Sequence, residues 1–255
     1  MDYINYVMHV ALALLFGVVQ GITEFLPVSS SGHLILMQSI FNMGDDLMLF
    51  NILLHVATLL AVCIMFRKRL WQLVKKPLQP MNYYLVLATV ITVIFVLLFK
   101  DVIDRTLNAS VLPITFMLTA VVLFSTVFLR PNRDMTYRSA AFTGLIQGIA
   151  VVPGFSRSGF TISAAMFAGT KREQAAEFSF LMSIPIIIAA LVYEVASNPS
   201  PSVGGGWPAL VVAFLAALIS GMLAIKFMLH IIRRIGLHWF AVYLVPLAIA
   251  TIFLV

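Results

Sequence analysis

A carboxylate and a guanidinium stand where this chain is otherwise at its most apolar. Glu24 lies in QGITEFLPVSSSGHL (residues 20 to 34) and Arg157 in PGFSRSG (residues 153 to 159). Unpaired at the centre of a bilayer, either charge costs at least about 2.5 to 3.5 kcal/mol on insertion scales, so the two are expected to share a hydrated pocket. An arginine flanked by Ser156 and Ser158 in a glycine-rich turn suits a phosphate. Its fork binds two oxygens, while hydroxyls and free backbone N–H groups donate further bonds. A helix starting near Ser158 adds its N-terminal dipole. Opposite it, Ser29, Ser30 and Ser31 offer hydroxyls, His33 an imidazole and Glu24 a base. Nucleophile, acid–base group and anion clamp are all present in type. The serine run alone is a common helix-breaking and capping composition; its combination with Glu24 and an arginine-bearing duplicate is what favours a site.

The scaffold follows from composition. The 255 residues are 62% hydrophobic and 10% charged, against roughly 25% charged in a typical soluble domain, so the chain is expected to be an all-α integral membrane protein. Six apolar runs, at 49–66, 83–99, 111–129, 175–195, 209–228 and 239–255, are each near the ~20 residues of a spanning helix. The net charge of +6 does not indicate nucleic acid. Its arginines and lysines fall in four clusters, 67–76, 130–138, 171–172 and 226–234, each beside an apolar run, where the positive-inside rule reads them as cytoplasmic. Trp71, Trp207 and Trp239 fall near expected interfaces. Cys63, the one cysteine, is expected to be a packing residue, His55 to pack or bond between helices, and Glu177 to pair with Lys171 or Arg172. No cleavable leader is expected at the N-terminus.

Residues 6–42 and 139–170 remain, and each must enter and leave on the same side if the six spans alternate. Both are broken in the middle by Pro, Gly and Ser, and both are expected to be re-entrant helix hairpins. Their breaks align without a gap: Gln20 with Gln147, Gly21 with Gly148, Ile22 with Ile149, Ser29 with Ser156, Ser31 with Ser158 and Gly32 with Gly159. An internal duplication is implied, with repeat one at about 1–129 and repeat two at about 130–255 of a single membrane domain. Three spans per half invert the second copy, an arrangement whose interrupted helices meet at a binding site. A transporter of the same anion is the rival reading, although transport alone gives no reason to set Glu24 and His33 beside a serine.

QGITEFLPVSSSGH closely resembles the first signature of the bacterial undecaprenyl-diphosphatase (bacitracin-resistance) family, and PGFSRSG is similar to its second; the likeness runs through AAEFSFLMSIP and most of the chain. The resemblance implies hydrolysis of undecaprenyl diphosphate to the monophosphate carrier, at the outer face of the bacterial inner membrane, feeding peptidoglycan synthesis. Carried over by position, it gives Glu24, Ser30, His33 and Arg157 as catalytic residues, with Gln20, Ser29, Ser31, Ser156, Ser158 and Gly159 around the substrate. Gln20 stands where many members have Glu, which removes one carboxylate. Family membership also implies a divalent ion such as Mg²⁺, with Glu24 its protein ligand. A homodimer is compatible with the sequence and not specified by it.

Overall fold

The computed structural model describes residues 3–41, 48–106, 108–197 and 206–254. Among the described residues twelve α-helices follow one another: α1 (Tyr3–Phe25), α2 (Ser30–Ile40), α3 (Met48–Met65), α4 (Arg67–Lys75), α5 (Pro80–Leu98), α6 (Lys100–Asp104), α7 (Leu112–Ser125), α8 (Tyr137–Ile149), α9 (Arg157–Phe167), α10 (Arg172–Ser197), α11 (Gly206–Arg234) and α12 (Trp239–Leu254). Among the described residues, the one departure from helix and loop is a bridge between Arg133 and Thr170. The six runs expected to cross a bilayer coincide with α3, α5, α7, α10, α11 and α12. Four helical stretches are long and apolar enough to do so by themselves: α5, Ala109–Phe128, Arg172–Tyr193 and α11. The α3 stretch joined to α4 across a 73° bend makes a fifth, while α12 and residues His9–Phe25 are apolar but shorter. The chain is thus an all-helical, multi-pass membrane protein. Asp45, Asp46 and Ser202 lie outside the described residues.

The remaining pairs, α1–α2 and α8–α9, are two helices each, broken where sequence predicts. Pro27, without an N–H, ends the ladder of α1, and Ser29 caps α2 through Gly32 N–H to Ser29 Oγ at 3.2 Å. Pro153 and Gly154, the latter at φ +85°, turn the chain after α8, and Ser156 caps α9 through Gly159 N–H to Ser156 Oγ at 3.1 Å. The two caps are equivalent positions of the aligned breaks.

Close helix contacts recur at the same offset. Gly17 and Gly21 of α1 face Ala213, Ala217 and Gly221 of α11, and a Cβ at Gly17 would lie 2.3 Å from the Ala213 carbonyl oxygen. Gly144 and Gly148 of α8 face α5, where a Cβ at Gly144 would lie 2.5 Å from the Ala88 carbonyl oxygen. Small residues four apart let backbones meet where lipid offers no hydrophobic drive to association. α7 and α12 pack on each other, and α3 lies against α11 as α10 lies against α5.

The basic clusters gather at one end. Arg69 Nε meets Glu177 Oε1 at 2.5 Å, Lys171 Nζ meets Asp134 Oδ1 at 2.8 Å, and Arg133 N–H bonds the Gly169 carbonyl at 2.9 Å. Glu177 therefore pairs with α4 and not with its sequence neighbours Lys171 and Arg172: the bend after α3 brings Arg69 to it, and Lys171 is drawn to Asp134.

Candidate active site

The two breaks touch. Ser158 Oγ donates to the Leu26 carbonyl at 3.1 Å, a Cβ on Gly159 would sit 3.0 Å from Pro27 Cβ, and one on Gly32 would sit 3.0 Å from Gly154 Cα. Glu24 on the last turn of α1 and Arg157 on the first turn of α9 are thereby brought together, and Arg157 Nη2 donates to Glu24 Oε1. The other carboxylate oxygen, Oε2, accepts from Ser30 Oγ at 2.6 Å and from Gln20 Nε2 at 3.1 Å. Ser30 and Arg157 are the first residues of α2 and α9, so two helix N-termini bring their partial positive charge to the same place.

Glu24, Ser30 and Arg157 line a cavity of about 280 Å³. One wall carries Glu24, Ser29, Ser30, Ser31, Ser156 and Arg157, while Ile186, Ile187, Ala190 and Leu191 of α10 form an apolar wall. An amphiphile with an anionic head and a hydrocarbon tail matches that division: the head on the guanidinium, hydroxyls and helix ends, the tail along α10.

Ser29 is held in a strained backbone. Its φ of +72° is the one positive value among the described non-glycine residues, and such geometry persists only when its surroundings over-determine it. His33 supplies much of that restraint. Its Nδ1 lies 2.6 Å from the Ser29 carbonyl oxygen, which can only accept, so Nδ1 carries the proton. Its Nε2 lies 2.7 Å from the Tyr243 hydroxyl, and the two rings stack with centroids 5.8 Å apart. In the neutral ring, Nε2 accepts from Tyr243.

The structure therefore brings together Glu24, Ser29, Ser30, Ser31, Ser156 and Arg157. Gln20 is buried behind Glu24; Ser158 and Gly159 join the breaks. His33 lies outside the cavity lining, with both ring nitrogens engaged. His55 of α3 and Gln147 of α8 also line the cavity. His55, expected to pack or bridge helices, instead bonds its own turn, with Nδ1 2.8 Å from the Asn51 carbonyl oxygen. Gln147 donates from Nε2 to Thr92 Oγ1 at 3.2 Å, while its buried Oε1 has no partner. Its alignment with Gln20 across the repeat was the available signal; nothing in the sequence around His55 pointed to the cavity.

The donors suit a divalent ion that arrives with a substrate. Among the described residues no three His, Cys, Asp or Glu side chains cluster, and Glu24 is the one carboxylate on the cavity wall. Mg²⁺ commonly takes one or two carboxylates together with substrate phosphates and water, and Glu24 can supply one.

The family described as Bacitracin resistance protein BacA matches residues 13–250. The chain is similar to the undecaprenyl-diphosphatase of Treponema denticola, 40% identical over 95% of this chain and 96% of that protein. It is likewise similar to that of Carboxydothermus hydrogenoformans, 41% identical over 91% and 92% respectively. The undecaprenyl-diphosphatase of Korarchaeum cryptofilum is 37% identical over 95% and 98%.

Proposed function

The chain belongs to the BacA bacitracin-resistance family, and from that membership and the site's geometry we propose how it acts. It is an undecaprenyl-diphosphate phosphatase: it hydrolyses undecaprenyl diphosphate to the monophosphate and inorganic phosphate, returning the lipid carrier to peptidoglycan synthesis. Removing the diphosphate form is also what confers resistance to bacitracin. The observation that carries the mechanism is the Ser30 hydroxyl bonded at 2.6 Å to a buried carboxylate that is itself paired with Arg157.

Arg157, Ser29, Ser31 and Ser156 hold the terminal phosphate between the two helix N-termini. The Ser30 oxygen attacks the terminal phosphorus and its proton passes to Glu24. The phosphorus–oxygen bond of the anhydride breaks, and undecaprenyl monophosphate leaves with the electron pair. Water then hydrolyses the phosphoserine. Arg157 contributes twice, by keeping Glu24 ionised before attack and by binding the charge that spreads over the phosphoryl oxygens. His33 acts by fixing the Ser29 turn that presents Ser30. Glu24 would be the protein ligand of a divalent ion such as Mg²⁺, whose chemistry there would be charge neutralisation.

The finer architecture belongs to the same reading: six crossing helices and two re-entrant hairpins, α1–α2 and α8–α9, in an inverted repeat of about 1–129 and 130–255 within one domain. The matched Gly17/Gly21 and Gly144/Gly148 contacts support it, as does the gathering of the basic clusters at one end. By the positive-inside rule that end is cytoplasmic; the same reading has the enzyme in the bacterial inner membrane with its cavity open to the periplasm, and a homodimer is compatible with the exposed apolar faces. The test is lipid analysis: purified protein should convert undecaprenyl diphosphate to one monophosphate and one phosphate. Lipid that stays bound and unconverted would favour a transporter.

A further inference from the structure

Two residues lining the cavity carry hydrogen-bond acceptors that the phosphoryl-transfer step leaves unused. His55 Nδ1 faces the Asn51 carbonyl, which can only accept, so Nδ1 is the protonated nitrogen and Nε2 of the neutral ring carries a lone pair. No described residue bonds Nε2. Gln147 is oriented from the other side. The Thr92 hydroxyl donates to the Gly144 carbonyl at 2.7 Å, leaving a lone pair on Thr92 Oγ1 for Gln147 Nε2 at 3.2 Å. The amide is thus fixed with its oxygen free, and that oxygen is buried without a partner. A buried acceptor left unmatched is destabilising, so a donor belongs there. Both residues line the same cavity as Ser30, Glu24 and Arg157.

We propose that His55 Nε2 and Gln147 Oε1 together seat the water that hydrolyses the phosphoserine. This rests on the reading of Ser30 as nucleophile. Water has two hydrogens for two acceptors, and once both are engaged its oxygen lone pair is left to face the phosphorus. Phosphoryl transfer passes through a loose transition state, so positioning of the nucleophile counts for more than early removal of its proton. The step balances without an added base. The water oxygen forms its bond to phosphorus as the phosphorus–Ser30 Oγ bond breaks. The departing electron pair on Oγ takes the proton that Glu24 received in the first step, and phosphate leaves as the dihydrogen anion. Glu24 is returned ionised and Ser30 protonated.

The role predicts which substitutions are tolerated. Glutamine at position 55 can repeat both halves of the imidazole's bonding, its amide nitrogen on the Asn51 carbonyl and its oxygen toward the water; leucine can do neither. The experiment is rapid acid quench of purified enzyme given undecaprenyl diphosphate labelled in its terminal phosphate. His55→Leu and Gln147→Leu should each produce about one equivalent of undecaprenyl monophosphate per enzyme in a burst and retain the label on Ser30. Steady turnover should fall by about a hundredfold, the scale of a misplaced reactant. His55→Gln should turn over near the wild-type rate with no label held. Wild-type turnover without retained label in both leucine variants would overturn the proposal, as would loss of burst and turnover together in variants that still bind the lipid. A His55→Gln variant as slow as His55→Leu would overturn the acceptor role. Failure of the underlying reading looks different: Ser30→Ala would release phosphate at the wild-type rate.

Discussion

Glu24 and Arg157 are 133 residues apart in the chain and form an ion pair in which the carboxylate is 1% exposed and the guanidinium 22%. The asymmetry matters. The acid is packed among its hydrogen-bond partners in the cavity wall, while the guanidinium keeps a face to the cavity with which to receive an anion. Breaking a buried pair from one side costs about 3–5 kcal/mol, because it strands the other charge.

Arg157→Lys keeps the charge and loses the fork, so one ammonium must choose between Glu24 and the phosphate. The variant should fold, and its kcat/KM for undecaprenyl diphosphate should fall by roughly a hundredfold, an effect of about 3 kcal/mol. Kinetics near wild type would remove Arg157 from the site.

Tyr243→Phe removes the hydroxyl that holds His33 Nε2 and leaves the ring stack. Loss of one such bond is worth about 1 kcal/mol, so activity should drop about fivefold. His33→Ala, which also frees the Ser29 carbonyl, should cost more in both activity and thermal stability. Tyr243→Phe with full activity and His33→Ala with unchanged stability would contradict a positioning role for His33.

Gly17→Leu and Gly144→Leu should each destabilise the folded protein by about 1–3 kcal/mol, since the added side chain meets the facing backbone. Thermal unfolding in detergent measures this. Matching losses at the two positions would support their equivalence in the repeat; an unaffected variant would remove that contact from the account.

The inverted topology is testable in whole cells on a Cys63→Ser background. Cysteines at Ser202 and Lys75 should label from opposite sides, Ser202 from outside. Labelling from the same side would contradict the six-crossing arrangement.

Much of this was legible in the sequence because it is local. Pro27, Pro153 and Gly154 stop helices wherever they stand, Ser29 and Ser156 cap the next ones, and lone charges in apolar runs had to meet. The apolar runs marked the helices, since their length follows from bilayer thickness. Rotation of each helix about its axis was not legible. A helix that is apolar all round carries no periodic mark of its inward face, so nothing told His55 toward the cavity from His33 toward Tyr243, 210 residues further on. The Arg69–Glu177 pair was hidden for a related reason: it depends on a 73° bend between α3 and α4, and sequence proximity favoured Lys171 and Arg172.

In the proposed reaction Glu24 takes the proton of the attacking hydroxyl. The most direct measurement is phosphate release from undecaprenyl diphosphate by purified wild type beside Glu24→Gln, with lipid binding followed in parallel and each repeated with a chelator. The expected result is release by the wild type, and a loss on the order of 10²–10⁴-fold in the variant, the usual worth of a general base, with the lipid still bound; slowing by chelator would place a divalent ion in the reaction. Glu24→Gln releasing phosphate at the wild-type rate would exclude Glu24 as the base.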